Sequence, residues 1–539
     1  MASAATTWNG ARSLDTPDPT GESSGCVSLY FKSVRGLNAP RLYEYLRKAA
    51  SESVADAFLL AFHIRDCRGG KGERELGRQA LVWLFLNHPD EFMRVVPLMA
   101  EYGRWDDILQ FWPSVLDLRD LTFVRTNWAA SIKDGRTLTK LRGLQDQFVL
   151  LVRDQLTADL ANLNEGKPVS LCAKWAPTEG DALDCEHSVV QTLCRVGKMT
   201  PKKYRKAFTT PLRAYIKVVE RYMCLQDWSE IEYSKVPSCA MKRLKRAFNK
   251  NDPERFAEWQ RNLETGNVTV KGGQLFPHEL VHEVRTKHHS DAVCEGQWRV
   301  LEELTAKLGS LTDAVAVCDV SGSMQTWTCC SRSKAPSFTP MDVAMAISLL
   351  ISHVVNGPFH NHIITFHDTP SFHLLPDASF FDRYKSLCHA NWGNNTNLQA
   401  VFALILSRAK LHGLSPEDLP KRVFIISDMQ FDGAVFRRGH EETNFDAIDE
   451  QYRESGYARP QIIFWNLNGS SSDYPVTVDE KGTAMISGFS TAVMKAILDG
   501  SEFTPLSIMR STLDSERYKP VMEALNMAEA APAEHSAGR

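Results

Sequence analysis

The chain has 539 residues, is 43% hydrophobic and 24% charged, and carries a net charge of −3 at pH 7. That length predicts more than one domain, and the composition is that of a soluble globular protein. No apolar run approaches the ~18 residues needed to cross a bilayer, and no secretory leader is read at the start, which together predict a protein with no membrane contact.

Residues 1–25 are rich in Ser, Thr, Gly and Pro and are expected to be a disordered tail, as is 526–539. From about 38 to 262 the apolar residues recur at helical steps, as in VADAFLLAFHI (54–64), LGRQALVWLFLNH (76–88) and EFMRVVPLMAEYG (91–103). Thr200-Pro201 and Asp252-Pro253 each place a capping side chain before a proline at the first helical position. Short turns between these segments predict an all-α helical-repeat solenoid, HEAT-like in character, over 26–262. Residues 263–310 read as a connector with a possible short hairpin in ETGNVTVKGGQLFPHELV, followed by a helix near 295–308.

The pattern changes at 311. AVAVCD (314–319), HIITFH (362–367), RVFIISD (422–428) and QIIFWNL (461–467) are short, continuous apolar runs, with helical stretches at 341–355 and 397–412 between them. Such strands, alternating with helices, predict an α/β doubly wound, Rossmann-like parallel sheet covered on both faces over 311–525. HIITF-HDTP-SFHLLP also reads as a hairpin, which places one antiparallel strand at an edge.

In an open sheet of this kind, ligands bind beyond the carboxyl ends of the strands. Asp319 ends the first strand, Asp428 ends RVFIISD, and NWGNNTN (391–397) feeds a helix with Thr396 at its mouth. Asp319, Ser321, Ser323, Thr396 and Asp428 are therefore a candidate oxygen-only metal set. Hard oxygen ligands favour magnesium or manganese over zinc. Three neutral hydroxyls would leave the cation electrophilic and short of one anion. An enzyme reading is weaker. Ser321 lacks the G-x-S-x-G elbow, no histidine is tied by spacing to a serine or cysteine, and Asp319 lacks a second acid two residues on. His367, His373 and His389 read as surface or loop residues, and Trp175 and Pro177 as a helix junction. The twelve cysteines show no C-x-x-C pair and are read as reduced thiols of an intracellular, cytoplasmic protein.

Between 195 and 250 lie fifteen basic residues and four acidic ones. Lys202, Lys203, Arg205, Lys206, Arg213, Lys217, Lys242, Arg243, Lys245 and Arg246 are candidate phosphate contacts for structured or single-stranded RNA. Tyr204, Tyr215, Tyr222 and Trp228 are interleaved among them. Pro211 is expected to split this stretch into two helices. The competing reading is a solvated face over a helical core.

D-x-S-x-S at 319–323, with Thr396 and Asp428 in later loops, resembles the metal-ion-dependent adhesion site of von Willebrand factor A domains. That resemblance implies direct contacts from Ser321, Ser323 and Thr396, with the aspartates alongside and a partner's carboxylate in the last position. RDCRGGKGER (65–74), YGRWDD (102–107), AKWAPTEG (173–180), KKYRK (202–206), VPS (236–238) and FPHELV (276–281) precede CDVSGSM (318–324) and SDMQFDG (427–433). This set is similar to a family of cytosolic and viral proteins related to the Ro autoantigen, with a TROVE-like helical module before a von Willebrand A-like domain. The resemblance implies a non-catalytic, ribonucleoprotein-like scaffold that binds RNA. The alternative is a metal-dependent protein-interaction scaffold without RNA binding.

Overall fold

The computed structural model describes residues 4–6, 12–14, 24–116, 135–181, 184–185, 188–307, 313–325, 338–367, 369–393, 397–429, 444–469, 474–476, 478–494 and 503–526. The region before residue 307 is rich in helices, and a six-stranded sheet follows it. Within the segment expected to be a disordered tail, β1 (Ala4–Thr6) pairs antiparallel with β2 (Arg12–Leu14).

Two compact units cut across the linear order. One comprises residues 1–76 and 232–515, the other 77–231 and 516–539. The first contains the sheet, built from β3 (Ala314–Asp319), β4 (His362–Phe366), β5 (Ser371–Leu374), β6 (Arg422–Ser427), β7 (Gln461–Asn466) and β8 (Thr483–Ser487) in the spatial order β5-β4-β3-β6-β7-β8. All neighbours are parallel except β4 and β5. β4 and β5 accordingly form the expected hairpin pairing, and β5 stands at the edge. β3 is buried along its whole length, as expected for a strand covered on both faces. Four of the strands match their expected runs to within one residue at each end. β8 was not expected, because TAMIS has one β-branched residue near each end and no alternation.

Helices from well outside the sheet's own sequence complete this unit. The helix Gly25–Lys32 has all eight residues buried. Its terminal carbonyls, which have no partner within a helix, are met by the sheet: Asn466 Nδ2 donates to Phe31 O, and Ser487 Oγ to Tyr30 O. The fully buried Lys71 also donates to Tyr30 O, to Ser33 O (3.2 Å) and to Ser487 Oγ (2.7 Å). Gly72 permits this approach. It has φ +68°, and a Cβ there would lie 2.8 Å from Cζ of Phe276. Further on, Pro277–Lys287 is tied to the start of Pro340–Val354 by Arg285 on Asp342 (2.8 Å).

Helices are the only regular elements among the second unit's described residues. Pro97 breaks the expected helix at 91–103 into Pro89–Val95, a 3-10 turn Val96–Leu98 and Met99–Tyr102. Phe92 and Phe111 stack at 5.0 Å, and Phe111 and Phe148 at 5.1 Å, forming an aromatic core. Thr200 caps the next helix by accepting from Lys203 N. Pro211 does not split the basic stretch. The chain stays helical from Pro201 to Tyr215 by passing through a π-turn at Arg205–Thr209, the widening that absorbs a proline's missing N–H.

In the first unit, Asp252 makes no cap, because its carboxylate accepts from the Tyr233 hydroxyl (2.6 Å) and Arg255 (2.8 Å) instead. The stretch 264–276 forms no strand, so the expected hairpin is absent among the described residues. No described helix is long and apolar enough to cross a membrane. The ten described cysteines are free thiols, and Cys329 and Cys330 lie outside the described residues.

Candidate functional site

The chain order reverses between β3 and β6, the point at which open parallel sheets place ligands beyond the strands' carboxyl ends. Cys318 is paired with Ile426, so Asp319 and Ser427 stand side by side, with Asp428 one residue further on. Asp319 and Asp428 are 0% and 1% exposed. Asp319 takes neutral donors from Ser321, whose N–H meets Oδ1 (2.9 Å), and from the Ser427 hydroxyl, which meets Oδ2. Burial first, and then the negative charge of Asp428, push the Asp319 carboxyl up to about 7. Two carboxylates are thus held together in a place that penalises their charge.

Past Asp319 the chain turns. A 3-10 turn forms at Gly322–Gln325, with Met324 N donating to Ser321 O. The turn brings the two hydroxyls together, with Ser321 Oγ 3.1 Å from Ser323 Oγ. Thr396 lies outside the described residues. The described part of its loop reaches this edge of the sheet: a Cβ on Gly393 would lie 2.8 Å from Cβ of His367, the residue after Phe366, which pairs with Asp319. His367 is a loop residue, as read, but a buried one. His373 is half-buried against Ser386 Oγ (3.0 Å), and His389 is exposed. Ser427 was missed as an anchor of Asp319, because only the pairing of β3 with β6 shows that the two face each other. Met429, at φ 67°, donates its N–H to Ser427 Oγ and so fixes that hydroxyl. Among the described residues no three His, Cys, Asp or Glu side chains converge as a metal cluster. An ion here would depend on hydroxyls as well as carboxylates.

The ten candidate RNA contacts divide between the units. Lys202, Lys203, Arg205, Lys206, Arg213 and Lys217 belong to the helical unit, and Lys242, Arg243, Lys245 and Arg246 to the sheet-containing one. Lys202, Lys203, Arg205, Lys206, Lys217, Arg243 and Arg246 are exposed. Three others are engaged internally. Lys245 is buried between Glu283 and Asp291, both at 2.5 Å. Lys242 donates to Glu279 O (2.8 Å) and approaches its carboxylate (3.4 Å). Arg213 donates to Ala173 O (2.8 Å) and Ala176 O (2.7 Å). Of the interleaved aromatics, Tyr204 is core and Tyr215 is exposed.

The family described as a domain of unknown function (DUF2828) matches residues 17–114 and 132–311, just over half of the chain, and the chain belongs to that family. A second domain of unknown function (DUF7788) matches 313–531, beginning at the residue before β3. The chain is also similar to an uncharacterised protein of Acanthamoeba polyphaga mimivirus. The two are 28% identical over 543 aligned residues, which cover 97% of this chain and 89% of the viral protein.

Proposed function

We propose that this protein is a non-catalytic binding scaffold: a TROVE-like helical module with an RNA-binding surface, and a von Willebrand A-like domain with a magnesium-dependent docking site. The observation that carries the docking site is the buried Asp319–Asp428 pair beside the Ser321–Ser323 hydroxyls at the point where strand order reverses. Two buried carboxylates beside two hydroxyls offer a hard, oxygen-only site that suits such a cation. Asp319, Ser321, Ser323 and Asp428 would hold Mg2+ or Mn2+, with Thr396 as the fifth member. Bound there, the ion supplies an electrophilic centre for an acidic side chain of a partner protein. The exposed Lys202, Lys203, Arg205 and Lys206 support the RNA surface. The engagement of Arg213, Lys242 and Lys245 favours the second reading, a metal-dependent protein scaffold without RNA.

Calorimetry on chelator-stripped protein tests the site. Magnesium or manganese is expected to bind once per chain, and at a hundred-fold excess over its dissociation constant to stabilise the protein by about 2.7 kcal/mol. Asp319→Ala should abolish both effects while leaving the metal-free protein folded, because it removes one of two repelling charges. No uptake of either ion by the wild-type chain sinks the docking site, and turnover of a phosphate ester overturns the non-catalytic reading.

A further inference from the structure

Two motifs have no part in the site described above, YGRWDD and AKWAPTEG, and they meet within the helical unit. Trp175 ends the short helix Cys172–Trp175. The Arg104 guanidinium lies over its ring, 5.1 Å from the centroid, and the Lys174 ammonium lies over it at 5.7 Å. Trp175 and Lys174 are partly exposed, and the Arg104 side chain is 38% exposed. The indole N–H donates to no described residue. By contrast, Trp259, Trp298, Trp392 and Trp465 in the other unit all donate to neighbours (2.8–3.0 Å).

We propose that Trp175, flanked by Arg104 and Lys174, is the stacking platform for an unpaired base of single-stranded RNA. This rests on the RNA-binding reading above and names the site and the form of RNA.

The platform is fixed before any ligand arrives. Arg213 grips the carbonyls of Ala173 and Ala176 on either side of Trp175, and the Tyr204 hydroxyl donates to Pro177 O (3.1 Å). Both anchors come from the helical stretch Pro201–Tyr215, whose outer side carries Lys202, Lys203 and Lys206. None of those three lysines forms an ion pair among the described residues. Arg205 ties the same stretch to Glu179, four residues past Trp175 (3.7 Å). A partly exposed indole and a row of exposed cations thus share one rigid support. Cations neutralise phosphates, and an aromatic face accepts a base of any sequence. A duplex keeps its base faces stacked inside, so the arrangement suits an open strand.

The test is anisotropy with a labelled oligoadenylate of about twelve nucleotides, an abasic oligomer of equal length, and a hairpin duplex. Wild type should prefer the oligoadenylate. Trp175→Ala should weaken that complex roughly 5- to 100-fold, match wild type on the abasic strand, and melt at a similar temperature. Trp175→Phe should retain most of the affinity. If Trp175→Ala binds oligoadenylate as wild type does, the platform is wrong while the RNA reading survives. Equal loss on abasic and adenylate strands makes Trp175 a structural residue, and wild-type preference for the hairpin also overturns the platform. Absence of any RNA binding by wild type at low salt removes the RNA reading itself, and the platform with it.

Discussion

In the unit that contains the sheet, several cations are drawn inward, although Arg243 and Arg246 stay exposed. Lys71 is fully buried and donates to Tyr30, Ser33 and Ser487. Lys245 lies between two carboxylates, and the half-exposed Arg35 packs over Phe276, Phe338 and Phe489 while pairing with Glu73 (2.9 Å). In the helical unit, Lys202, Lys203 and Lys206 stand in solvent. A run of basic residues in sequence therefore does not define a surface. A lysine whose neighbours supply carboxylates or carbonyls holds the fold together, and one with water around it remains available to a ligand. The contrast predicts opposite phenotypes for the same substitution.

The largest effect is expected at Lys245. Lys245→Ala leaves Glu283 and Asp291 facing each other without the cation that holds both below the usual carboxylate range. Breaking a buried pair costs about 3–5 kcal/mol. Lys287, 2.5 Å from Glu283, should keep the loss at the lower end. Urea unfolding measures it. A change under about 0.5 kcal/mol, as at a surface site, would place Lys245 back among the exposed cations.

Lys71 gives an effect that depends on pH and is smaller per pH unit. Burial pushes its ammonium down to about 7 from 10.5, against a lesser opposing pull from Glu73. Between those values the unfolded chain binds more protons than the folded one, so stability should rise with pH from about 7 toward 10.5. One proton contributes at most about 1.4 kcal/mol per pH unit. Below pH 7 both states are protonated and this contribution is flat. Lys71→Met should remove the slope, which urea midpoints at pH 7.5, 8.5 and 9.5 would read directly. An unchanged slope in the variant would show that the proton belongs to another group.

How much of this was legible depended on how local each cause is. β3, β4, β6 and β7 were readable because a strand covered on both faces needs a continuous apolar run, and the turn HDTP gave away the one antiparallel edge. Asp319, Ser321 and Ser323 could be grouped because they are neighbours in sequence, and Asp428 because it directly follows an apolar strand run. Ser427 was not, because only strand pairing shows that it faces Asp319. Asp252 and Pro211 followed local rules that tertiary contacts overrode: the Tyr233 hydroxyl claimed the first, and a π-turn absorbed the second. Nothing in the linear order showed that Gly25–Lys32 packs on β8, or that Arg104 reaches Trp175. Those contacts join segments far apart in sequence, through side chains that no periodicity marks.

The smallest effect separates available from engaged cations most finely. Each phosphate neutralised on a single strand contributes roughly 0.7 to the slope of log affinity against log salt. If Lys202 meets a phosphate, Lys202→Ala should lower that slope by about this amount and change stability by less than about 0.5 kcal/mol. Lys242 has the same charge and was an equal candidate in sequence, but its ammonium already donates to Glu279. Lys242→Ala should therefore leave the slope unchanged and lower the unfolding midpoint instead. Titration of both variants with one oligoadenylate from 50 to 200 mM salt decides it. If the two variants lose slope equally, Lys242 lets go of Glu279 to meet the strand, and the division between inward and outward cations does not hold for this pair.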